Sequence, residues 1–309
     1  MYFPLMKSKF LNIRLAQRKS QQKPVFYCLG KDFPTLYKKL KIFDISNFTS
    51  QVWNDYNLKL EKVFLPYPNF SFLENNLIRG TMFMNVGGHM QKKELDLLED
   101  RFSKNTLCYL LEEDYVGKPF LSNSKYLTSH NSIHHLYHIC RFLNKTDCNF
   151  DKISTIVEWG GGYGNMIKLL GRLNALSNKT YIIIDTPLFS CIQWLYLSTI
   201  LGSDCINVLT NEKKDIESGK INLVTLGLLK DIDICADLFI STWGLSESSK
   251  YSQDFVVSNK WFNSKHLLLS YQINSKKLPH AERIEELAKG LAASIEKIDF
   301  LPDNYYVFK

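Results

Sequence analysis

Five short, mostly apolar runs in the second half of the chain constrain its fold more than any other feature. They are "TIVEW" (155–159), "YIIID" (181–185), "INLVTL" (221–226), "DLFIST" (237–242) and "HLLLSY" (266–271). Nearly continuous apolar character is typical of strands that are buried on both faces of a sheet. Stretches with helical spacing follow the first two runs, and strand–helix alternation predicts a parallel sheet with right-handed crossovers.

The helix predicted after the second run has clear end signals. Thr186 suits the N-cap position, Pro187 suits the first helical turn, and Gly202 suits the exit. The helix predicted after the first run carries Met166 and Leu170 on one face.

Residues 1–145 lack this alternation. The stretches 46–64, 91–104 and 128–143 have helical patterns, and 84–90 and 115–124 have the composition of loops. We therefore expect an α/β fold in which a mainly helical N-terminal region, residues 1–145, precedes a Rossmann-like domain with a mainly parallel sheet, residues 146–309.

The composition is that of an ordinary globular protein, with 45% hydrophobic and 22% charged residues. No apolar run approaches the roughly 20 residues of a membrane span, and we expect no signal peptide. Seven dispersed cysteines without a CxxC pair favour reduced thiols in a cytoplasmic protein over disulfides or a zinc site.

The first 23 residues contain six Lys or Arg and no acid, in a chain of formal net charge +7. A solvated, partly disordered arm is the interpretation that we favour. Peripheral contact with the inner membrane surface, or with an anionic substrate, is the alternative. Basic residues do not alternate with aromatic ones, so we expect no nucleic-acid partner.

The stretch "IVEWGGGYGN" (156–165) joins the first predicted strand to a helix. The strand ends near Glu158, and Gly160, Gly161, Gly162 and Gly164 follow. Such a unit places a ligand at the carboxyl edge of a parallel sheet, although a plain tight turn is the alternative. A P-loop requires GxxxxGK[ST], which is absent, and a dinucleotide fingerprint fails where Asn165 replaces its last glycine.

A carboxylate beside the glycines distinguishes the remaining ligands. Glu158 would repel the pyrophosphate of NAD but would attract the ammonium and sulfonium groups of S-adenosyl-L-methionine. Asp185, at the end of the next strand, would accept hydrogen bonds from ribose hydroxyls, a feature that both cofactors share. We therefore expect S-adenosyl-L-methionine as the cofactor. Its expected contacts are Glu158, Gly160, Gly161, Gly162, Tyr163, Gly164, Asp185 and Thr186.

Three stretches together resemble the bacterial sugar O-methyltransferases. They are "VEWGGGYGNMIKLL" (157–170), "YIIIDTPLFSCIQWLYL" (181–197) and "DLFISTWGLSESSKY" (237–251), within roughly 150–272. The resemblance implies methylation of a sugar or glycan-precursor hydroxyl in surface-glycan synthesis. Two departures stand out: Trp159 replaces a smaller apolar residue, and "TWGLSESS" replaces an Asn/Ser-x-Ser-x-x-Glu-Met pattern.

Methyl transfer to a hydroxyl needs a group that removes its proton. Glu247, which follows the fourth predicted strand, is the first candidate. The alternative is an acid in the first turn of a helix that Ser246 or Ser248 caps. We also expect Trp243 and Ser246 to contact the acceptor.

Histidines recur at every fourth position in "SHNSIHHLYH" (129–138), at His130, His134 and His138. Buried histidines with satisfied nitrogens are one interpretation. The other is that His130 or His134 acts as the base or contacts the methionine carboxylate. We expect no metal site, because the third histidine lies about 40° further round the helix.

Aromatic residues at predicted strand ends, namely Trp159, Tyr163, Trp243 and Tyr251, either form ligand walls or pack in the core. The N-terminal region would then cover the acceptor or form a homodimer interface. Two rival functions remain: an NAD(P)-dependent sugar oxidoreductase, and a degenerate methyltransferase fold that acts as a binding subunit.

Overall fold

The computed structural model describes residues 3–82, 88–174 and 178–309, with a helical first half and an α/β second half. The helices of the first half are α1 (Phe3–Gly30), α2 (Phe33–Lys41), α3 (Gln51–Phe64), α4 (Asn76–Met82), α5 (Gly88–Arg101), α6 (Lys104–Leu111) and α7 (His130–Lys145). Those of the second half are α8 (Asn165–Asn174), α9 (Pro187–Leu201), α10 (Gly244–Glu247), α11 (Lys250–Ser258) and α12 (Arg283–Lys289).

One eight-stranded sheet forms the centre of the second half. Its strands are β1 (Thr155–Trp159), β2 (Thr180–Asp185), β3 (Ile206–Val208), β4 (Ile221–Thr225), β5 (Leu238–Thr242), β6 (His266–Gln272), β7 (Ser294–Lys297) and β8 (Asn304–Phe308). The order is β3-β4-β2-β1-β5-β6-β8-β7; the pairs from β3 to β6 are parallel, and β8 pairs antiparallel with both β6 and β7. The expected α/β fold, with a mainly parallel sheet after a helical region, is confirmed.

The strand order reverses direction at β1, which has β2 on one side and β5 on the other. Loops that leave two such strands at their carboxyl ends diverge and leave a crevice between them, where open α/β sheets bind ligands. The glycine-rich stretch follows β1, so the topology places it at this crevice.

The basic N-terminal segment is a helix, α1, and the expectation of a partly disordered arm is wrong. Leu15 and Phe26 are buried, and Arg18 donates to Glu112 Oε2 at 2.8 Å. The apolar periodicity of α1 is weak, so its folding depends on these tertiary partners rather than on a pattern that the local sequence displays.

Other boundaries shift by a few residues. Helix α3 begins at Gln51 rather than 46, and 115–124 is a loop as expected. Of the loop expected over 84–90, residues 84–87 lie outside the described residues, and residues 88–90 belong to α5. Thr186 occupies the N-cap position of α9, but its Oγ1 donates to Asn57 Oδ1 at 3.2 Å instead of capping the helix.

One apolar cluster contains side chains from both halves, including Phe26, Leu60, Ile133, Ile156 and Phe308. The helical region therefore packs directly on one face of the sheet. The proposed domain boundary after residue 145 stays a prediction. Within the described ranges, no helix is both long enough and apolar enough to cross a bilayer.

Candidate functional site

A cavity of about 400 Å³ lies at the carboxyl ends of β1, β2, β5 and β6. Residues of the first half, most of them on helices, line the side opposite the sheet. The sheet side contributes Glu158, Trp159, Gly160, Gly161, Gly162, Tyr163, Asp185, Thr186, Thr242, Trp243, Gly244, Glu247, Ser248 and Gln272. The helical side contributes Thr49, Trp53, Gly80, Thr81, Asn131, His134 and His135.

Three glycines of the loop after β1, Gly160, Gly162 and Gly164, have positive φ angles, and the first two have different surroundings. Gly160 has φ +79°, and a Cβ there would lie 2.8 Å from Gly244 Cα, because the loops after β1 and β5 cross in close contact. Gly162 has φ +57°, and a Cβ there would meet nothing within 4 Å. The backbone at Gly162 is therefore open to a ligand in the cavity.

The Glu158 carboxyl is buried below this loop, with 2% of the residue exposed. Its Oε2 has no hydrogen-bond partner. Burial, and secondarily the nearby Asp185, raises the pKa of Glu158 to about 8. A cationic group in the cavity would favour the ionised form of this buried carboxyl, so Glu158 suits a ligand that carries positive charge.

Asp185 both lines the cavity and holds the glycine loop. Its Oδ1 accepts from the Thr186 amide at 2.8 Å, and its Oδ2 accepts from Gln193 Nε2 at 2.9 Å. Gln193 Nε2 also donates to the Gly162 carbonyl at 3.0 Å. Burial raises the pKa of Asp185 to about 7, against the hydrogen bonds from Thr186, Gln193 and the amides of Gly162 and Gly161.

Three carboxyl groups, those of Glu158, Asp185 and Glu247, line the cavity, and none of its lining residues within the described ranges is Lys or Arg. A ligand that carries positive charge favours the ionised form of these carboxyls, whereas a pyrophosphate disfavours it and finds no Lys or Arg to pair with among the described lining residues.

Glu247 ends the short helix α10, and its Oε2 accepts a hydrogen bond from Trp53 Nε1 at 3.1 Å. Burial raises the pKa of Glu247 to about 7, and the hydrogen bond from Trp53 opposes that rise. The N-cap residue of α10 is Trp243, which has φ +67°, so neither Ser246 nor Ser248 is the cap.

The two serines serve the local fold of this turn. Ser246 Oγ donates to the Trp243 carbonyl at 2.8 Å, and Ser246 does not line the cavity. Ser248 Oγ donates to the Gly244 carbonyl at 2.8 Å and accepts from Trp159 Nε1 at 3.0 Å. Trp159 thereby ties the loop after β1 to the turn that carries Glu247.

The histidines of α7 are held by partners that lie far away in the sequence. Glu94 Oε2 contacts His130 Nε2 at 2.7 Å, and Glu94 Oε1 contacts His134 Nδ1. Burial of Glu94 is outweighed by these two hydrogen bonds, which lower the pKa of its carboxyl. His134 lines the cavity and His130 does not, while His138 Nδ1 contacts Tyr306 Oη at 2.5 Å.

Among the side chains that the structure describes, no group of three or more His, Cys, Asp or Glu residues is arranged to hold a metal ion.

His135 lines the cavity although the sequence analysis did not select it. Its Nδ1 contacts Asn165 Nδ2 at 3.1 Å. Burial lowers the pKa of His135 to about 3, so this imidazole is neutral near pH 7. Spacing at every fourth residue selected only His130, His134 and His138, and no local signal marks the residue beside them.

The aromatic candidates separate into two groups. Trp159, Tyr163 and Trp243 line the cavity. Trp243 stacks on His134, with ring centroids 5.8 Å apart, and its Nε1 donates to Asn304 Oδ1 at 2.7 Å. Tyr251 instead packs edge-on against Phe48 at 5.0 Å, outside the cavity.

Gly164 also lies outside the walls. A Cβ there would lie 3.0 Å from the Leu197 side chain, so this glycine permits close packing of the loop against α9. The structure thus brings together the acids at the ends of β1 and β2 and the acid that follows β5. Gly164, Ser246 and His130 lie outside the cavity lining.

Comparison with protein-family models finds no match, and comparison with curated proteins finds none. Among solved structures, the chain is similar to PigF with SAH, at 15% identity and a TM-score of 0.33, over 52% of this chain and 57% of that one. It is similar to the mitomycin 7-O-methyltransferase MmcR at 12% identity and a TM-score of 0.37, over 71% and 66% of the two chains.

The S-adenosylmethionine-dependent methyltransferase SibL in its apo form matches at 10% identity and a TM-score of 0.38, over 72% of this chain and 70% of that one. The match to PigF spans little more than half of that protein's length. Likeness of this degree assigns no activity to the chain, and any function has to be argued from the residues of the cavity.

Proposed function

We propose that this protein is an S-adenosyl-L-methionine-dependent O-methyltransferase that acts on a sugar hydroxyl in surface-glycan biosynthesis. The observation that carries the proposal is the buried, unpartnered Glu158 Oε2 beside an open glycine loop. A cavity with three carboxyl groups and no Lys or Arg among its described lining residues suits a cofactor with an ammonium and a sulfonium. It does not suit a pyrophosphate.

The residues around the loop would hold the cofactor. Glu158 would accept hydrogen bonds from its ammonium group, and the open backbone at Gly162 would lie against it. Asp185 would hold the loop by accepting hydrogen bonds from the backbone amides of the loop. Its remaining lone pairs would accept hydrogen bonds from ribose hydroxyls. When bound, S-adenosylmethionine supplies a methyl group on a positively charged sulfur.

Glu247 would accept the proton of the acceptor hydroxyl. A carboxyl with a pKa of about 7 is well matched to proton transfer near neutral pH, because a useful fraction is ionised and that fraction is still basic. His134, which Glu94 holds, is the other cavity group considered for this role. The helices of the first half would exclude water from the reacting groups.

The sugar acceptor rests on the resemblance in the glycine stretch (157–170), the Asp-x-Pro stretch (181–197) and the stretch 237–251. The walls support it with flat indole rings and neutral hydrogen-bonding groups, which suit the faces and hydroxyls of a pyranose. Among the neutral polar groups of the walls are Thr49, Thr81, Asn131, Gln272 and Asn304. Function in the cytoplasm, a homodimer and peripheral membrane contact stay expectations from the sequence.

The test is transfer of a labelled methyl group from S-adenosylmethionine to a panel of acceptors. The panel contains free sugars, nucleotide-activated sugars, lipid-linked glycan precursors, and catechol and amine controls. The proposal expects label in a carbohydrate fraction, stable to mild base as an ether. Transfer only to catechol or amine acceptors would contradict the sugar assignment, and cofactor binding without any transfer would favour a binding subunit.

A further inference from the structure

We propose that Trp53 is a positioning residue of this active site: its indole N–H orients the Glu247 carboxylate and keeps it in the ionised form that accepts the acceptor's proton. The inference rests on the proposed function, because it assigns Glu247 the role of the base. It brings helix α3, from the helical half, into the catalytic centre.

The central contact is a hydrogen bond from Trp53 Nε1 to Glu247 Oε2 at 3.1 Å, between residues 194 positions apart. Both side chains line the same cavity. An indole N–H only donates, so its partner has to be an acceptor, and the ionised carboxylate accepts more strongly than the neutral acid. With Oε2 engaged by the indole, Oε1 is the atom that receives the proton.

The segment that precedes α3 is fastened to the elements that carry Glu247. Ser249 donates through its amide to the Phe48 carbonyl at 3.2 Å and through its Oγ to the Asn47 carbonyl at 2.5 Å. Ser252 Oγ donates to the Phe48 carbonyl at 2.6 Å. These bonds fix the start of α3 relative to α10 and α11, so the position of the indole donor follows from the fold.

The indole ring is also held on its other sides. Phe189, which lines the cavity from α9, packs edge-on against it with ring centroids 5.7 Å apart. Tyr56 packs against it at 5.8 Å. Trp53→Phe removes the N–H but keeps a six-membered aromatic ring, so it tests the hydrogen bond separately from much of the packing.

Hydrogen bonding to the charged form of an acid lowers its pKa, whereas burial raises it. At Glu247 the two effects oppose each other, and the indole supplies the first. Without Trp53 the carboxyl would stay protonated to higher pH, and it would be free to rotate in the cavity. Both changes reduce its competence as a base near neutral pH.

The experiment is an NMR titration of ¹³Cδ-labelled glutamate in the ligand-free protein, with the Glu247 signal assigned from Glu247→Gln. In Trp53→Phe the titration midpoint of Glu247 should rise by about one to two pH units, the equivalent of one hydrogen bond to a charged group. Tyr56→Phe, which removes a hydroxyl from the neighbouring ring, should leave it unchanged. An unchanged midpoint in Trp53→Phe would overturn the proposal.

A second measurement uses the unmodified indole in case Trp53→Phe does not fold. In the wild type, the ¹⁵N-indole signal of Trp53 should titrate with the same midpoint as Glu247, and in Glu247→Gln it should become independent of pH over that range. An indole signal of Trp53 that does not titrate with Glu247 in the wild type would also overturn the proposal. Both readouts use the free protein, so a failure of S-adenosylhomocysteine to bind would contradict the proposed function alone.

Discussion

At the scale of single residues, Glu158 determines which ligand the cavity suits. Its carboxyl is buried, its Oε2 is unpartnered, and the acid beside it in the wall, Asp185, is itself buried. The neutral form is therefore favoured in the free protein, which is why its pKa rises to about 8. A cationic ligand beside Glu158 would reverse that preference, because it stabilises the ionised form of the carboxyl.

This gives a testable pH dependence of stability. The folded-state pKa of Glu158 lies above the ordinary value of 4.5, so its stabilising contribution is fully present below about 4.5 and is lost as pH rises through 8. Relative to Glu158→Gln, the unfolding free energy of the wild type should fall across pH 5–8, with a slope of up to about 1.4 kcal/mol per pH unit for one proton.

Urea unfolding of both proteins at several pH values measures this difference. Asp96→Asn, at an exposed carboxyl on α5, is the control and should show no such slope. A difference between the wild type and Glu158→Gln that stays constant from pH 5 to 8 would contradict a buried, protonated Glu158.

Glu247 gives a prediction about turnover. Glu247→Gln keeps the shape of the side chain and a hydrogen-bonding oxygen but removes the basic group. Single-turnover methyl transfer should fall by about 10²–10⁴, whereas affinity for S-adenosylhomocysteine should change far less. Normal turnover in this variant would move the base to His134, and His134→Ala would then test that assignment.

The candidate site could be predicted from the sequence only where one short stretch carries the signal. Glu158, the glycines and Asp185 belong to a strand–loop–helix pattern with its own spacing, so the sequence predicts them as one group. Trp53 and His135 belong to helices whose local sequence says nothing about a cavity. They enter the site through tertiary contacts, such as the bond between Trp53 and Glu247, that one sequence does not reveal.

At the scale of elements, a buried ion pair joins the helical half to α8. Lys168 Nζ lies 3.0 Å from Glu113 Oε2, and each side chain is about 1% exposed. The Glu113 carboxylate also accepts from Ser132 Oγ at 2.6 Å, at the start of α7. Burial of Glu113 is outweighed by Lys168 and by the hydroxyls of Ser129 and Ser132, which lower the pKa of Glu113.

Lys168→Met should therefore destabilise the protein by about 3–5 kcal/mol, because it leaves the Glu113 carboxylate buried and unpaired. The double variant Glu113→Gln with Lys168→Met should recover part of that loss. Chemical denaturation measures both, and Lys92→Met, in the exposed pair with Asp96, is the control with little expected change. Equal losses in the single and double variants would mean that packing, and not the charge, sets the cost.

Strands were predictable where burial on both faces makes them continuously apolar, as in β2, where all six residues are buried. Strand β7 was missed because it is a partly exposed edge strand with the polar sequence "SIEK". Strand β3 has three residues, too few for a pattern. Helix α1 was missed because its contacts with Glu112 and the shared core, rather than its own periodicity, stabilise it.

At the scale of the whole molecule, the cavity is formed by both halves of the chain. The sheet edge supplies the acids and the glycine loop, and α3, α4 and α7 supply the opposite wall. Since one apolar cluster spans both halves, the position of that wall is set by the same packing that stabilises the fold. The glycine loop therefore bears on the cofactor, whereas the residues of α3, α4 and α7 bear on the acceptor.

Calorimetric titration of the protein with S-adenosylhomocysteine and with NADH distinguishes the two cofactor classes. We expect S-adenosylhomocysteine to bind, Glu158→Gln to weaken that binding by roughly 10- to 100-fold through loss of a charge-assisted hydrogen bond, and NADH to give no heat of binding. At 100 times its dissociation constant, S-adenosylhomocysteine should add about 2.7 kcal/mol of stability. Binding of NADH without binding of S-adenosylhomocysteine would contradict this cofactor assignment.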